Sequence, residues 1–297
     1  MSAAAAAPSA HDSLAMMLRV LKLPTVNRHA EEVALKAEHE GWSFGQYLRH
    51  LVALELEERR RGRIERNQRA SGLPGEKTLG MLDRKRLSPS VAKVLPTLCE
   101  GGFVERGENV LLFGLPGRGK THVACAIGHE LVRRGRRVLF TATYALVQRL
   151  LGAKRELRLE KELGELDGYD AVILDDIGYV QQSRDEMEVL FTFLAERYER
   201  KSVLITSNLV FSEWNRIFKD PMTTAAVIDR LIHHAVILEM TGGSLRAEKA
   251  ERTAKEARTT TTTTGATTTT AATTTTPGAT TTTAPAGVQG EAEVGEM

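Results

Sequence analysis

The stretch from Asn109 to His122, NVLLFGLPGRGKTH, leaves this chain few folds to choose from. The apolar run Val110 to Phe113 reads as a buried strand, and it breaks at Gly114 into a glycine-rich turn. Gly114, Gly119, Lys120 and Thr121 fill the four fixed positions of G-x-x-x-x-G-K-[ST]. Gly117 and Gly119 let backbone N–H groups curl around a phosphate with no Cβ in the way. Lys120 supplies a point charge for outer phosphates, and the Thr121 hydroxyl is a magnesium ligand of the right type. The next residues, Val123 to Ile127, continue as a helix whose N-terminus faces the anion. Gly114, Leu115, Pro116, Gly117, Arg118, Gly119, Lys120, Thr121 and His122 are therefore the candidate phosphate-binding residues.

Three other stretches supply the chemistry such a site needs. Ala171 to Leu174 is an apolar strand ending in Asp175 and Asp176. Strand ends at the carboxyl edge of a parallel sheet deliver side chains to the ligand crevice. Asp175 suits Mg²⁺, directly or through water, and Asp176 suits orienting or deprotonating an attacking water. The strand Val203 to Thr206 ends in Ser207 and Asn208. If it lies between the first and third strands, Asn208 reaches both the outermost phosphate and the water. Arg230 sits near the end of an apolar helix starting at Thr224. It is either a surface arginine paired with Asp229 or the cation that stabilises a transferring phosphoryl group, often across a subunit contact.

From Asn109 onward strand and helix patterns alternate, as in an α/β fold with a parallel sheet. The strands expected are Val110–Phe113, Val138–Thr141, Ala171–Asp175, Val203–Thr206 and Val236–Leu238. Helices are expected near 120–134, 144–163, 185–200, 212–218 and 222–233. Before them come a helix from Asp12 to near Pro24, a second over about 26–40, and a long third one capped by Ser43. Phe44, Tyr47, Leu48, Leu51, Val52 and Leu54 recur along the third at helical spacing. Its far end carries six arginines among residues 59–69. That is either a solvated face with intrahelical ion pairs or a surface for nucleic-acid phosphates, and the stretch alone does not choose. Charge adds a mild lean: three of the 38 carboxylates and none of the 40 Lys and Arg follow Arg258, so residues 1–258 carry +5.

No apolar run approaches the roughly 20 residues that span a bilayer, so no membrane partner is expected. Cys99 and Cys125 form no disulfide or metal pattern, which fits a reducing cytoplasm. Beyond Arg258 the threonine-rich run has nothing apolar to bury and is expected to lack a fold.

Read together, GLPGRGKTH, Leu174-Asp-Asp-Ile-Gly-Tyr179, Thr206-Ser-Asn208 and Asp229-Arg-Leu-Ile-His-His234 resemble the AAA+ ATPases, most closely the IstB-like branch and its DnaC-type helicase-loader cousins. The resemblance runs from about Asp12 to Arg246. It implies an α/β P-loop NTPase core of the AAA+ type with a five-stranded parallel sheet, preceded by a small all-helical N-terminal domain. It also implies ATP and Mg²⁺ as ligands, homo-oligomers on duplex DNA, and a transposase as partner in insertion-sequence transposition. By position, Thr121 and Asp175 hold the metal, Asp176 is the second acid, Asn208 the sensor and Arg230 the finger. The expected layout is a tail over 1–11, a helical DNA- or partner-binding domain over 12–74, an ATP-binding domain over 75–258 with 75–100 as linker, and a tail over 259–297. Three features depart from the family pattern: Asp-Asp where Asp-Glu is commoner, no helical lid after Arg246, and the threonine tail.

Three other functions compete with this reading. A DnaC-like replicative helicase loader shares the nucleotide core. A nucleotide-holding adaptor would bind ATP without turnover. A small-molecule kinase would need an arginine-bearing lid and an acceptor pocket, neither of which is legible here.

Overall fold

In a computed structural model, residues 10–178, 183–218 and 220–241 are described, all within one compact unit, Met1–Lys249. The threonine-rich tail, Tyr179 and the Gly242–Arg246 ending lie outside them.

Three helices come first: α1 (Ala10–Val20), α2 (Pro24–His39) and α3 (Phe44–Ala70). Helix α1 starts two residues before the expected Asp12. Ser43 caps α3 as expected, in a reciprocal box with Gln46. Helix α2 has no cap of its own. Instead the Glu55 carboxylate of α3 accepts the N–H groups of Thr25 and Val26 at 2.9 and 3.2 Å, satisfying two orphan donors in the first turn of α2. The apolar positions expected along α3 divide into two rows. Tyr47, Leu51 and Leu54 are inside or half-buried, whereas Phe44, Leu48 and Val52, spaced four apart, lie exposed, because only one side of α3 meets α2.

The far end of α3 is fastened to the sheet-bearing part of the chain. Asn67 Nδ2 donates to the carbonyls of Gly135 and Arg136 at 3.0 and 3.1 Å. The buried Ser71 offers its carbonyl to the Phe140 N–H at 2.7 Å, and Leu73 enters the core. A connector with a short 3-10 turn at Arg84–Arg86 leads to α4 (Pro89–Glu100) and α5 (Gly102–Glu105).

The remaining elements alternate: β1 (Asn109–Phe113), α6 (Lys120–Arg133), β2 (Val138–Ala142), α7 (Thr143–Arg155), α8 (Leu159–Asp167), β3 (Ala171–Asp175), α9 (Arg184–Arg197), β4 (Ser202–Ser207), α10 (Asn215–Phe218), α11 (Pro221–Ile232) and β5 (Ala235–Glu239). All pairings are parallel, and the sheet runs β2-β3-β4-β1-β5. Every residue of β1 and β4 is buried, as expected of strands covered on both faces. One core cluster packs α4 and α6 against one face of the sheet; the other packs α7, α9 and α11 against the opposite face.

Two expectations need correction. The helix expected over 144–163 is two, separated at Leu157, which adopts φ +56 and stands 95% exposed. The Arg158 N–H closes the first helix on the Ala153 carbonyl, a left-handed cap that usually uses glycine. The segment 212–218 is likewise a 3-10 turn, Phe211–Glu213, followed by the single-turn α10.

Candidate nucleotide site

The loop after β1 is shaped by its glycines. Gly117 and Gly119 have φ of +81 and +85, so successive N–H groups turn toward one concavity at the start of α6. Lys120, only 6% exposed, lays its ammonium over this loop and donates to the carbonyls of Gly114 and Leu115 at 2.7 and 3.1 Å. A buried cation, two left-handed glycines and a helix N-terminus together form an anion cradle.

Strand order decides what faces that cradle. Because β4 lies between β1 and β3, the ends of all three open on the same crevice. Asp175 closes β3, and its Oδ1 accepts from Thr121 Oγ1 at 2.8 Å and from Thr206 Oγ1 at 2.6 Å. The Thr206 hydroxyl in turn accepts the Asp176 N–H at 2.9 Å. Asp176 is held in the left-handed region, φ +57, a conformation Asp tolerates better than most residues. Thr143 Oγ1 donates to the Asp175 carbonyl at 2.9 Å, pinning the strand end from the β2 side. Asn208 follows β4, and its buried Oδ1 has no hydrogen-bond partner among the described residues. An orphaned acceptor beside two acids and a lysine marks a place where a ligand or water donates.

These groups line one cleft of about 190 Å³, with Pro116, Gly117, Gly119, Lys120, Thr121, His122, Asp175, Asp176 and Asn208 on its wall. That is below the ~300–1,000 Å³ of sites that bury a whole small ligand, so the cleft accounts for the polyphosphate end of a nucleotide. Oxygen ligands from Thr121 and Asp175 are the donor set a hard divalent cation takes, so the residues fit magnesium.

Three of the expected phosphate-binding residues are not on the cleft wall. Gly114, Leu115 and Arg118 line a second cavity, of about 480 Å³, with Phe211 and Ile237 on the other side of the loop. Arg230 is also outside the cleft. Its guanidinium stacks over the Phe191 ring of α9 at 4.7 Å, with Nη1 buried and without a hydrogen-bond partner among the described residues. The alternative of a plain surface arginine paired with Asp229 therefore does not describe its setting.

Sequence reasoning missed three contributors. Thr206 couples the two acids; its place at the polar end of a buried strand was the available signal. Lys77 lines the cleft, and the Thr78 carbonyl lies 3.0 Å from His122 Nε2, so the connector borders the site. Neither belongs to a motif.

A parallel sheet in this order, with the lysine loop after β1 and paired acids after β3, defines a P-loop protein of the AAA+ class. The fold of AMPPCP-bound DnaA from Aquifex aeolicus agrees, at TM-score 0.50 and 17% identity over 63% of this chain and 57% of that one. More narrowly, residues 16–254 match the IstB-like ATP binding protein family, and the chain belongs to it. An insertion sequence ATP-binding protein of Sinorhizobium fredii is 44% identical over 82% of this chain and 81% of its own length. The insertion sequence IS21 ATP-binding protein of Pseudomonas aeruginosa is 36% identical over 80% and 90% respectively. Among the described residues no helix is long and apolar enough to cross a membrane.

Proposed function

We propose that this protein hydrolyses ATP with Mg²⁺, assembles as a homo-oligomer on duplex DNA in the cytoplasm, and assists a transposase in insertion-sequence transposition. One observation carries the catalytic part: Lys120, Thr121, Asp175, Asp176 and Asn208, drawn from three strand ends, line a single cleft.

In this reading Lys120 and the N–H groups of the Gly117–Gly119 turn hold the outer phosphates. Mg²⁺, held by Thr121 and Asp175, would neutralise charge on them. Asp176 accepts the proton of the attacking water, and Asn208, through its free Oδ1, holds that water in line. Arg230 acts on the ATP of a neighbouring copy, which its position outside its own cleft favours.

The DNA part rests on α3 and on the names of the relatives, which belong to insertion sequences. Four of the six arginines pair with glutamates along the helix: Arg59, Arg60, Arg61 and Arg69. The pairs of Arg60, Arg61 and Arg69 are exposed, and exposed pairs are weak and yield readily to phosphates, whereas Arg59 is held by the buried Glu55. Arg63 and Arg66 have no such ion pair among the described residues, and α3 as a whole is the basic surface offered to a duplex.

The test is ATP turnover with and without duplex DNA at low salt, with Lys120→Ala as the blank. Turnover above the blank that rises with DNA and falls back with added salt is expected. Turnover equal to the blank would overturn the hydrolytic reading, and turnover indifferent to DNA would overturn the assembly on duplex.

A further inference from the structure

At the other end of the sheet from the nucleotide cleft, three side chains gather that ATP hydrolysis does not use. Helix α11 ends at Ile232, and His233 caps it in helical conformation. His234 comes next, with its carbonyl tied to the Asn109 N–H at 2.8 Å where β1 begins. The two imidazoles lie edge to face, 4.3 Å between centroids. Facing them is Glu199, in the turn between α9 and β4. Its Oε1 is 3.5 Å from His233 Nδ1 and 3.8 Å from His234 Nε2.

Such a trio has two readings. One is a carboxylate in loose contact with two histidines. The other is a chelate. A tetrahedral zinc with ligands at ~2.0–2.1 Å sets its donor atoms about 3.3–3.4 Å apart. The two N···O separations lie within a few tenths of an ångström of that, and all three donor atoms fall within 4.8 Å of one another. Among the described residues this is the one group of three or more His, Cys, Asp or Glu so disposed.

The surroundings favour the chelate. Glu199 is a non-glycine residue at φ +55, so its backbone is held away from the commonest conformations. Its carbonyl packs close to Gly107, where a Cβ would come within 3.0 Å of it. The donors come from two separate turns, α9–β4 and α11–β5. The Tyr198 hydroxyl lies 3.0 Å from the same His233 Nδ1, and a metal bound there would displace it. All three side chains are about half exposed, which leaves an entry path and an open fourth position for water.

We propose that Glu199, His233 and His234 form a zinc site. Two imidazoles and one carboxylate suit borderline divalent transition ions and disfavour Mg²⁺ and Ca²⁺. Bound metal would clamp the α9–β4 turn to the end of α11, one turn beyond Arg230, and so stiffen the helix that carries that arginine. The proposal is independent of whether the chain hydrolyses ATP.

The experiment titrates the full chain with Zn²⁺ against a background of excess Mg²⁺, which keeps the Thr121–Asp175 site from competing. One equivalent bound, with a rise in melting temperature, is expected. Co²⁺ in its place should give the visible absorption of a tetrahedral site. His233→Ala with His234→Ala should weaken binding by more than the ~10–100-fold that an outer partner alone is worth, and should abolish the thermal rise. Because the side chains are half exposed, melting in chelator should match wild type. If the double variant does not fold, Glu199→Gln serves instead, with the same loss expected. Equal zinc affinity in wild type and either folded variant, or no binding by wild type, would overturn the assignment.

Discussion

The Thr121 hydroxyl donates to Asp175 Oδ1 across 2.8 Å, joining the end of the phosphate loop to the end of a strand two positions away in the sheet. The intervening strand supplies Thr206, whose hydroxyl reaches the same oxygen at 2.6 Å. The first turn of α6 and two neighbouring strand ends thus converge on one carboxylate. The polar groups are pre-positioned and need little reorganisation when a triphosphate enters.

Lys120→Ala tests the cradle directly. The ammonium is buried against two loop carbonyls, and charge-assisted contacts of this kind contribute about 1.5–3 kcal/mol. Affinity for a fluorescent ATP analogue should fall by roughly 10–100-fold, since 1.4 kcal/mol is about a factor of ten. An unchanged affinity would show that the loop holds no phosphate.

Asp176→Asn separates binding from turnover. Asn tolerates the left-handed backbone at φ +57 as well as Asp does, so the fold should be kept. A carboxamide cannot take a proton from water. The expected result is near-normal ATP binding with turnover lowered by about 10²–10⁴-fold, the usual worth of a general base. Parallel loss of both quantities would instead make Asp176 a ligand-binding group.

Much of this was legible in the sequence, for a physical reason. Where one residue type must stand at a fixed spacing, as with Gly119, Lys120 and Thr121, the motif carries the geometry. Buried parallel strands such as Val110–Phe113 announce themselves because both faces are apolar. Contacts between distant segments leave no such trace. Nothing near Glu55 reveals that it caps a helix 30 residues earlier. Leu157 ends α7 in a left-handed conformation without glycine, and Lys77 reaches the cleft from an unpatterned connector. Arg230 lay between: its residue type suggested a role, but only packing on Phe191 set it apart from a solvated arginine.

Gly178→Ala tests Asn208 without touching it. A Cβ at residue 178 would come within 2.2 Å of Asn208 Oδ1, and the Leu209 side chain at 3.1 Å blocks retreat on one side. The carboxamide must rotate away. ATP affinity should change little, while turnover should fall by about 10-fold or more, as expected when a water-positioning group is displaced. Full activity would mean that Asn208 has no part in the chemical step.

Glu55 gives a prediction about pH. Burial alone would raise its carboxyl, but the Arg59 guanidinium and the N–H groups of Val26 and Thr25 outweigh burial and hold it below the ordinary 4.5. Arg59 is half exposed, so its share is screened, and the two backbone bonds add to it. A carboxyl depressed in the folded state contributes stability that is complete above its unfolded pKa and is lost as pH falls through the folded value. Glu55→Gln keeps one acceptor for the α2 N–H groups but turns an NH₂ toward Arg59, which should cost about 1–3 kcal/mol near neutrality. Thermal or urea unfolding of the two proteins across pH should therefore show a gap that is constant above about pH 5 and narrows below the ordinary 4.5. A gap that widened on acidification would mean that the carboxyl is raised, and that burial rather than the capped helix end controls its charge.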